Sequence, residues 1–296
     1  MRILITGGTG LIGRNLCRLW LAEGHELYVW SRTPEQVKGL CGEAVHAVGD
    51  LNELGEIQLD AVINLAGAPI ADRPWTQKRR QLLRDSRIAL TDHLVKWLAS
   101  LAHKPEVLIS GSAVGWYGDG GEQPLTESSP AQSKDFATQL CADWEAAALA
   151  AEALGIRVVL IRTGLVVTGQ GGFLSRLLPL FRLGLGGPQG SGQQWMPWVH
   201  LDDEVALINH VLHQHEARGA YNACAPEPAR NKDFAKALGK QLGRPAVLPV
   251  PGFVLKLMLG EMAGLLLGGQ NIRPERTQEI GFEFKYPDLK SALATL

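Results

Sequence analysis

Met1-Arg2-Ile3-Leu4-Ile5-Thr6-Gly7-Gly8-Thr9-Gly10-Leu11-Ile12-Gly13 opens the chain. A short apolar run, Ile3-Leu4-Ile5, reads as a buried strand. It feeds a glycine-rich turn and then a helical pattern. Gly7, Gly10 and Gly13 are spaced three apart. The first glycine permits a tight turn, the second lets a pyrophosphate approach the backbone, and the third lets the helix pack close to the strand. The helix start offers unpaired N–H groups and a positive dipole end to phosphates. A glycine pattern alone is weak evidence, but here it has the strand–turn–helix context that a dinucleotide site requires. Gly7, Thr9, Gly10, Leu11, Ile12 and Gly13 are therefore the first candidate cofactor-binding residues.

The rest of the chain alternates β-rich runs with helical patterns, the signature of a Rossmann-type, doubly wound α/β parallel sheet. Strands are expected at 27–30, 44–48, 61–65, 107–110, 158–162 and 220–223. Helices are expected at 11–23, 77–102, 136–154, 204–215 and 232–242. Residues 169–198 are rich in Gly and Pro and read as a long loop, a length usually reserved for function such as a substrate lid. The division expected is a dinucleotide-binding domain from 1–168 and 199–226, and a small, mainly helical lobe from 169–198 and 227–296.

The 296 residues carry a net charge of −1, and no basic run interrupts them. Nothing in that balance recruits nucleic acid or an anionic membrane. Gly252 to Gly269 is strongly apolar, but Lys256 and Glu261 interrupt it far short of the ~20 residues a span needs. It reads as a buried or partner-facing helix. Cys17, Cys41, Cys141 and Cys224 form no Cys-x-x-Cys, so no metal site and no disulfide framework is expected. Reduced thiols and the lack of a signal peptide point to the cytoplasm.

The residues after the second strand discriminate between dinucleotides. An acidic residue there would accept a bond from a ribose 2′-hydroxyl. This chain has Ser31-Arg32, a hydroxyl and a forked cation suited to a 2′-phosphate, so NADP is the expected cofactor. Asp50-Leu51 follows the third strand. Asp50 reads equally as an adenine contact or as a helix cap.

The ordered set TGGTGLIG, Gly49-Asp50-Leu51, Asn64-Leu65-Ala66-Gly67, Ser110-Gly111-Ser112, Trp116-Tyr117-Gly118 and Trp198-Val199-His200-Leu201-Asp202-Asp203 resembles the extended short-chain dehydrogenase/reductases of the nucleotide-sugar epimerase/dehydratase superfamily. Ser86-Arg87, Pro197-Trp198-Val199-His200, Gly184-Leu185-Gly186-Gly187-Pro188 and Gly281-Phe282-Glu283-Phe284 with Tyr286-Pro287 resemble its atypical "epimerase family protein" branch. The resemblance spans essentially the whole chain. It implies that Leu65, Ala66 and Gly67 run under the cofactor's ribose and phosphates. It also implies that Arg87 stands beside the cofactor and that Val166 touches its nicotinamide end.

Active members of the superfamily use a Tyr-x-x-x-Lys pair, the tyrosine to move a proton and the lysine to lower its pKa. In the matching helix Ala137 and Cys141 fall at those positions, and neither can do this chemistry. Ser112 stands at the family's Ser/Thr position and could bond a substrate carbonyl. His200 is of a type that titrates near neutral pH and follows Trp198 at the mouth of the expected cleft, although a lone histidine before a helix is more often structural. Asp202 and Asp203 read as caps of that helix. Trp75, Arg79, Arg84, Trp195 and Trp198 fit either a cleft lining or packing between lobes. The expectation is an NADP-dependent oxidoreductase or epimerase-like protein acting on an unidentified small molecule. The alternative is a non-catalytic NADPH-binding sensor or scaffold. Homodimers are common in the superfamily, which makes a homodimer the candidate assembly, although nothing in the sequence specifies an interface.

Overall fold

A computed structural model describes residues 1–296. Seven parallel strands form one sheet: β1 Arg2–Thr6, β2 Glu26–Trp30, β3 His46–Val48, β4 Ala61–Asn64, β5 Val107–Ala113, β6 Arg157–Thr163 and β7 Gly219–Ala223. Their order is β3-β2-β1-β4-β5-β6-β7. The sequence reverses direction beside β1, and ligands in open α/β sheets bind outside the carboxyl ends of the strands at such a switch point.

Both faces of the sheet are covered, which is why its strands are apolar throughout rather than alternating with polar residues. Successive residues still part to opposite sides. Ile3 and Ile5 enter one core with Leu16, Trp20, Val29, Leu201 and Ile208. Leu4 enters the other with Val62, Leu94, Leu98, Leu108 and Leu160. The first layer is made by helices α1 (Leu11–Ala22) and α5 (Leu201–His213). The second is made by α2 (Gln77–Ser100) and α3 (Phe136–Leu149). Inside α2, residues Asp85–Ala89 form a π turn, a single over-wide turn of the kind that often marks functional sites.

A third core lies beside the sheet, where Val167, Leu174, Phe181, Trp198 and Leu293 pack with Phe234 and Leu238 of α6 (Asn231–Gln241). Several expectations need correction here. The Gly/Pro-rich stretch 169–198 is not one loop, because it holds α4 (Leu174–Arg182), whose Leu174, Leu178 and Phe181 face this core. β3 begins at His46 rather than at 44, since Gly42 closes a turn with Val45 N–H. Residues 252–269 do not form one helix. Gly260, at φ +59°, ends α7 (Gly252–Leu259), and two shorter turns follow. Leu255 is buried in it, while Phe253, Leu257 and Met258 are exposed. No helix is long and apolar enough to cross a membrane.

The C-terminal segment returns to the sheet's first core. Phe282 is buried in the first core, and Phe284 packs against it. The Lys285 and Tyr286 N–H groups donate to the Asp203 carboxylate at 2.8 and 3.0 Å.

Candidate functional site

The glycine turn is backed by chain on every side. Gly7 has φ +70°, and a Cβ there would lie 2.6 Å from the Leu65 carbonyl. A Cβ on Gly13 would lie 2.4 Å from the Gly7 oxygen and 2.6 Å from Gly8 Cα. These glycines let β1, α1 and the chain after β4 meet at one point. Gly10 is the N-cap of α1, and no side chain caps the helix. Its first N–H groups are thus available to an anion. Leu11 and Ile12 are half-buried behind the turn.

A ladder of buried polar groups holds the opposite wall. Thr6 Oγ1 donates to Asn64 Oδ1 at 2.8 Å, and Asn64 Nδ2 donates to Thr91 and Ser110 hydroxyls at 2.8 and 3.1 Å. Ala66 N–H donates to Thr6 Oγ1 at 3.1 Å, and Ala68 N–H to Ser86 Oγ at 3.0 Å. Residues 65–68 are thereby pinned between β1 and the π turn of α2.

That π turn turns Arg87 toward the same loop. A Cβ on Gly67 would lie 3.0 Å from the Arg87 guanidinium carbon. Arg87 lies over the Trp144 ring at 5.2 Å, and its one hydrogen bond is to the Leu83 carbonyl at 3.5 Å. Burial holds its pKa below the usual arginine value, and no carboxylate lies beside it. A half-buried cation without an acidic partner is an incomplete arrangement that an anionic or hydroxyl-bearing ligand would complete.

At the other flank Arg32 follows β2, exposed and bonded to nothing, while Ser31 N–H is held by the Val48 carbonyl at 2.9 Å. Asp50 is a cap: its carboxylate accepts from Asn52 N–H, and Glu53 answers by accepting from Asp50 N–H, both at 2.8 Å. Leu51 turns its side chain into the second core, which leaves only its backbone to a ligand. Val166 is half-buried in a short strand beside Val199.

The two catalytic candidates are placed otherwise than the sequence suggests. Ser112 is 4% exposed and donates to Glu145 Oε1 at 2.6 Å. Glu145 in turn takes both Nε and Nη2 of Arg162, each at 2.9 Å. Arg162 is sandwiched further by the Trp116 ring at 3.7 Å and bonds Tyr117 Oη at 3.0 Å. The Ser112 proton is therefore spent inside a buried ion pair. Tyr117 donates to Asn222 at 2.7 Å, and burial pushes its pKa up to about 12, so it is a structural phenol.

His200 is 4% exposed and is itself the cap of α5, accepting from Asp202 N–H at Nδ1. Nε2 then carries the proton toward Thr295 Oγ1 at 3.1 Å, and Tyr286 covers the ring at 3.9 Å. Burial lowers its pKa, which keeps it neutral. It is a structural histidine, and the caps read at Asp202 and Asp203 belong to it instead. For Trp198 the packing alternative holds: it is 0% exposed, in the third core. Trp195 stacks on Arg230 at 4.3 Å, and Arg84 pairs with Asp143 at 2.9 Å. Trp75 meets Phe136 edge-on at 5.0 Å, and Arg79 pairs with Asp72, so all four have protein partners.

Where the superfamily's pair would stand, Ala137 and Cys141 lie against Gly115, with Cβ and Sγ 3.8 and 3.6 Å from where a Cβ on it would be. Burial pushes the Cys141 thiol up to about 12, so it is inert.

This geometry has relatives. Residues 3–224 match the profile of the NAD dependent epimerase/dehydratase family. The chain belongs to that family. Residues 250–296 match a domain of unknown function, DUF1731. The mouse epimerase family protein SDR39U1 is 39% identical over 99% of this chain and 98% of its own length. A chloroplastic homologue of it from Arabidopsis thaliana is 39% identical over 100% of this chain and 86% of its own. The crystal structure of the human protein with NADPH superposes with a TM-score of 0.90 at 34% identity, over 99% of this chain and 98% of that one. A UDP-glucuronic acid 4-epimerase from Bacillus cereus shares the fold, at 17% identity and a TM-score of 0.81 over 100% of this chain and 97% of that one.

The sequence reading missed the Glu145–Arg162 pair and the buried Glu204. For Glu204 a signal was present. It falls on the inward stripe of α5 with Leu201, Val205 and Ile208, although Asp202-Asp203-Glu204 reads as an exposed acidic start.

Proposed function

We propose that the chain binds NADP(H) across the carboxyl ends of β1, β2 and β4 and acts as an oxidoreductase or epimerase-like protein on a small molecule. The observation that carries this reading is a pair of guanidinium groups without acidic partners, Arg32 and Arg87, on either side of a capless helix start. The human relative's complex with NADPH supports it. The first N–H groups of α1, with Gly7, Thr9 and Gly10, would hold the pyrophosphate. Ser31 and Arg32 would take the 2′-phosphate, and Asp50 would lie near the adenine. The Leu65–Gly67 backbone and Arg87 would hold ribose and phosphate oxygens. Val166 would close the nicotinamide end. The cofactor would supply hydride; the chain orients it and must find a proton outside the missing Tyr-x-x-x-Lys pair.

The test is calorimetric titration of protein stripped of nucleotide with NADPH and with NADH, beside Arg32→Glu. NADPH binding weakened about tenfold or more in Arg32→Glu, with NADH unaffected, is expected, since a charge-assisted bond contributes ~1.5–3 kcal/mol. Binding of neither dinucleotide would sink the reading.

A second reading, a non-catalytic NADPH sensor or scaffold, is favoured by Ala137 and Cys141. It predicts no NADPH oxidation with panels of carbonyl compounds and nucleotide sugars. It also predicts capture of a partner that depends on NADPH. The setting we propose is the cytoplasm, supported by four buried free thiols. The assembly we propose is a homodimer.

A further inference from the structure

Glu204 sits on α5 with its side chain 0% exposed. Its Oε1 accepts from Thr163 Oγ1 at 2.7 Å, and its Oε2 has no hydrogen-bond partner. A carboxylate stripped of water and offered one hydroxyl is costly to keep ionised, so the group holds its proton. Burial pushes its pKa up to about 8.

No cation offsets it. The Cys224 thiol, just past β7, lies near it and is held protonated by burial. On β6, Arg162 points to the other face of the sheet, into Glu145. Arg157 donates to the Val211, Leu212 and Ala217 carbonyls. On α5 itself, Asp203 is taken up by the Lys285 and Tyr286 N–H groups, and His200 by Asp202 N–H. On α1, the buried Cys17 lies beside Cys41. A group kept there only for packing would be apolar, as Leu201, Val205 and Ile208 around it are.

Its place in the fold gives this acid a use. Thr163 is the last residue of β6, at the carboxyl end of the sheet, paired with Ala113 and Ala223. It is only half-buried. Gly164 then passes the Pro197 and Ala223 carbonyls, and a Cβ on Gly172 would lie 3.1 Å from Leu11. The segment 163–172 thus runs from the Glu204 contact to the start of α1, along the edge where the cofactor's nicotinamide half belongs.

We propose that Glu204, acting through Thr163, is a proton store at the nicotinamide end of the cleft, neutral when the uncharged reduced cofactor ring is bound and ionised when the positively charged oxidised ring is bound. The inference rests on the NADP(H) reading above. Binding of NADP+ releases one proton from Glu204 to solvent, and the ring's positive charge balances the carboxylate left behind. Binding of NADPH releases none. Glu204 is then a positioning and charge-balancing residue, coupled to the cofactor's oxidation state.

The experiment measures Kd for NADP+ and for NADPH from pH 6 to 9, in wild type and Glu204→Gln, with proton release counted by calorimetry in buffers of different ionisation enthalpy. The 2′-phosphate titrates in both ligands, so the ratio of the two constants isolates the ring. In wild type the preference for NADP+ should rise with pH and level off above about 8. It rises tenfold for each unit by which the oxidised ring lowers the Glu204 pKa. Glu204→Gln should bind NADPH as wild type does and show a flat ratio. A flat ratio in wild type, or a rise that survives in Glu204→Gln, overturns the inference. If Glu204→Gln does not fold, Glu204→Leu takes its place. Failure of wild type to bind either dinucleotide would instead remove the reading on which this rests.

Discussion

Single residues differ here in what their charge has to do. Arg162 is neutralised by Glu145 in the interior. Breaking that pair leaves a buried ion alone, so Glu145→Gln should cost about 3–5 kcal/mol and lower Tm by several degrees. Thermal melts check it, and a loss under 1 kcal/mol would contradict the pairing. Arg87 has no such partner, so Arg87→Met should leave the melt nearly unchanged and weaken NADPH about tenfold or more. The contrast between the two melts and titrations would separate an arginine that holds the fold from one that holds a ligand. Much of this was legible in the sequence. Arg32 drew attention because its position after β2 has a fixed chemical meaning, and the structure leaves it exposed and unpaired there. His200 and Ser112 misled because sequence shows a titratable or hydroxyl group but not whether its proton is already engaged. Ser112 serves Glu145 on another element, and His200, besides capping α5, is covered by Thr295 and Tyr286 from the distant tail.

At the level of elements, two devices place the site. The first is the contact of β1, α1 and the loop after β4 through bare glycine backbones. Gly13→Ala puts a methyl on the Gly7 carbonyl, and backbone cannot yield as a side chain end can. Loss of NADPH binding together with a fall of several degrees in Tm is expected. The second device is the π turn of α2, which widens one turn so that Ser86 reaches the Ala68 N–H and Arg87 reaches Gly67. The periodicity of 77–102 announced a helix but not this turn, because one over-wide turn barely alters the apolar stripe. The same limit applied to 252–269, where apolar composition read as one helix and Gly260 breaks it.

For the molecule as a whole, Glu204 links stability to pH. Its folded pKa, about 8, lies above the unfolded value near 4.5. Between those values the unfolded chain loses this proton and the folded one keeps it, so stability falls as pH rises from about 4.5 to about 8. Glu204→Leu should flatten that part of the curve, as denaturant midpoints at pH 5 and pH 8 would reveal. An unchanged slope would place the proton elsewhere. The exposed apolar residues of α7 give a test of assembly: Leu257→Asp should lower the sedimenting mass if the homodimer forms there, and leave it unchanged if not.

The tail that brings Phe282 into the first core, and Tyr286 over His200, also sets an order in time. In synthesis from N- to C-terminus the glycine turn emerges well before these rings, so one layer beside the sheet has a hole until they arrive. A truncation that removes Phe282 to Tyr286 would take little of the chain and much of the cofactor site's support.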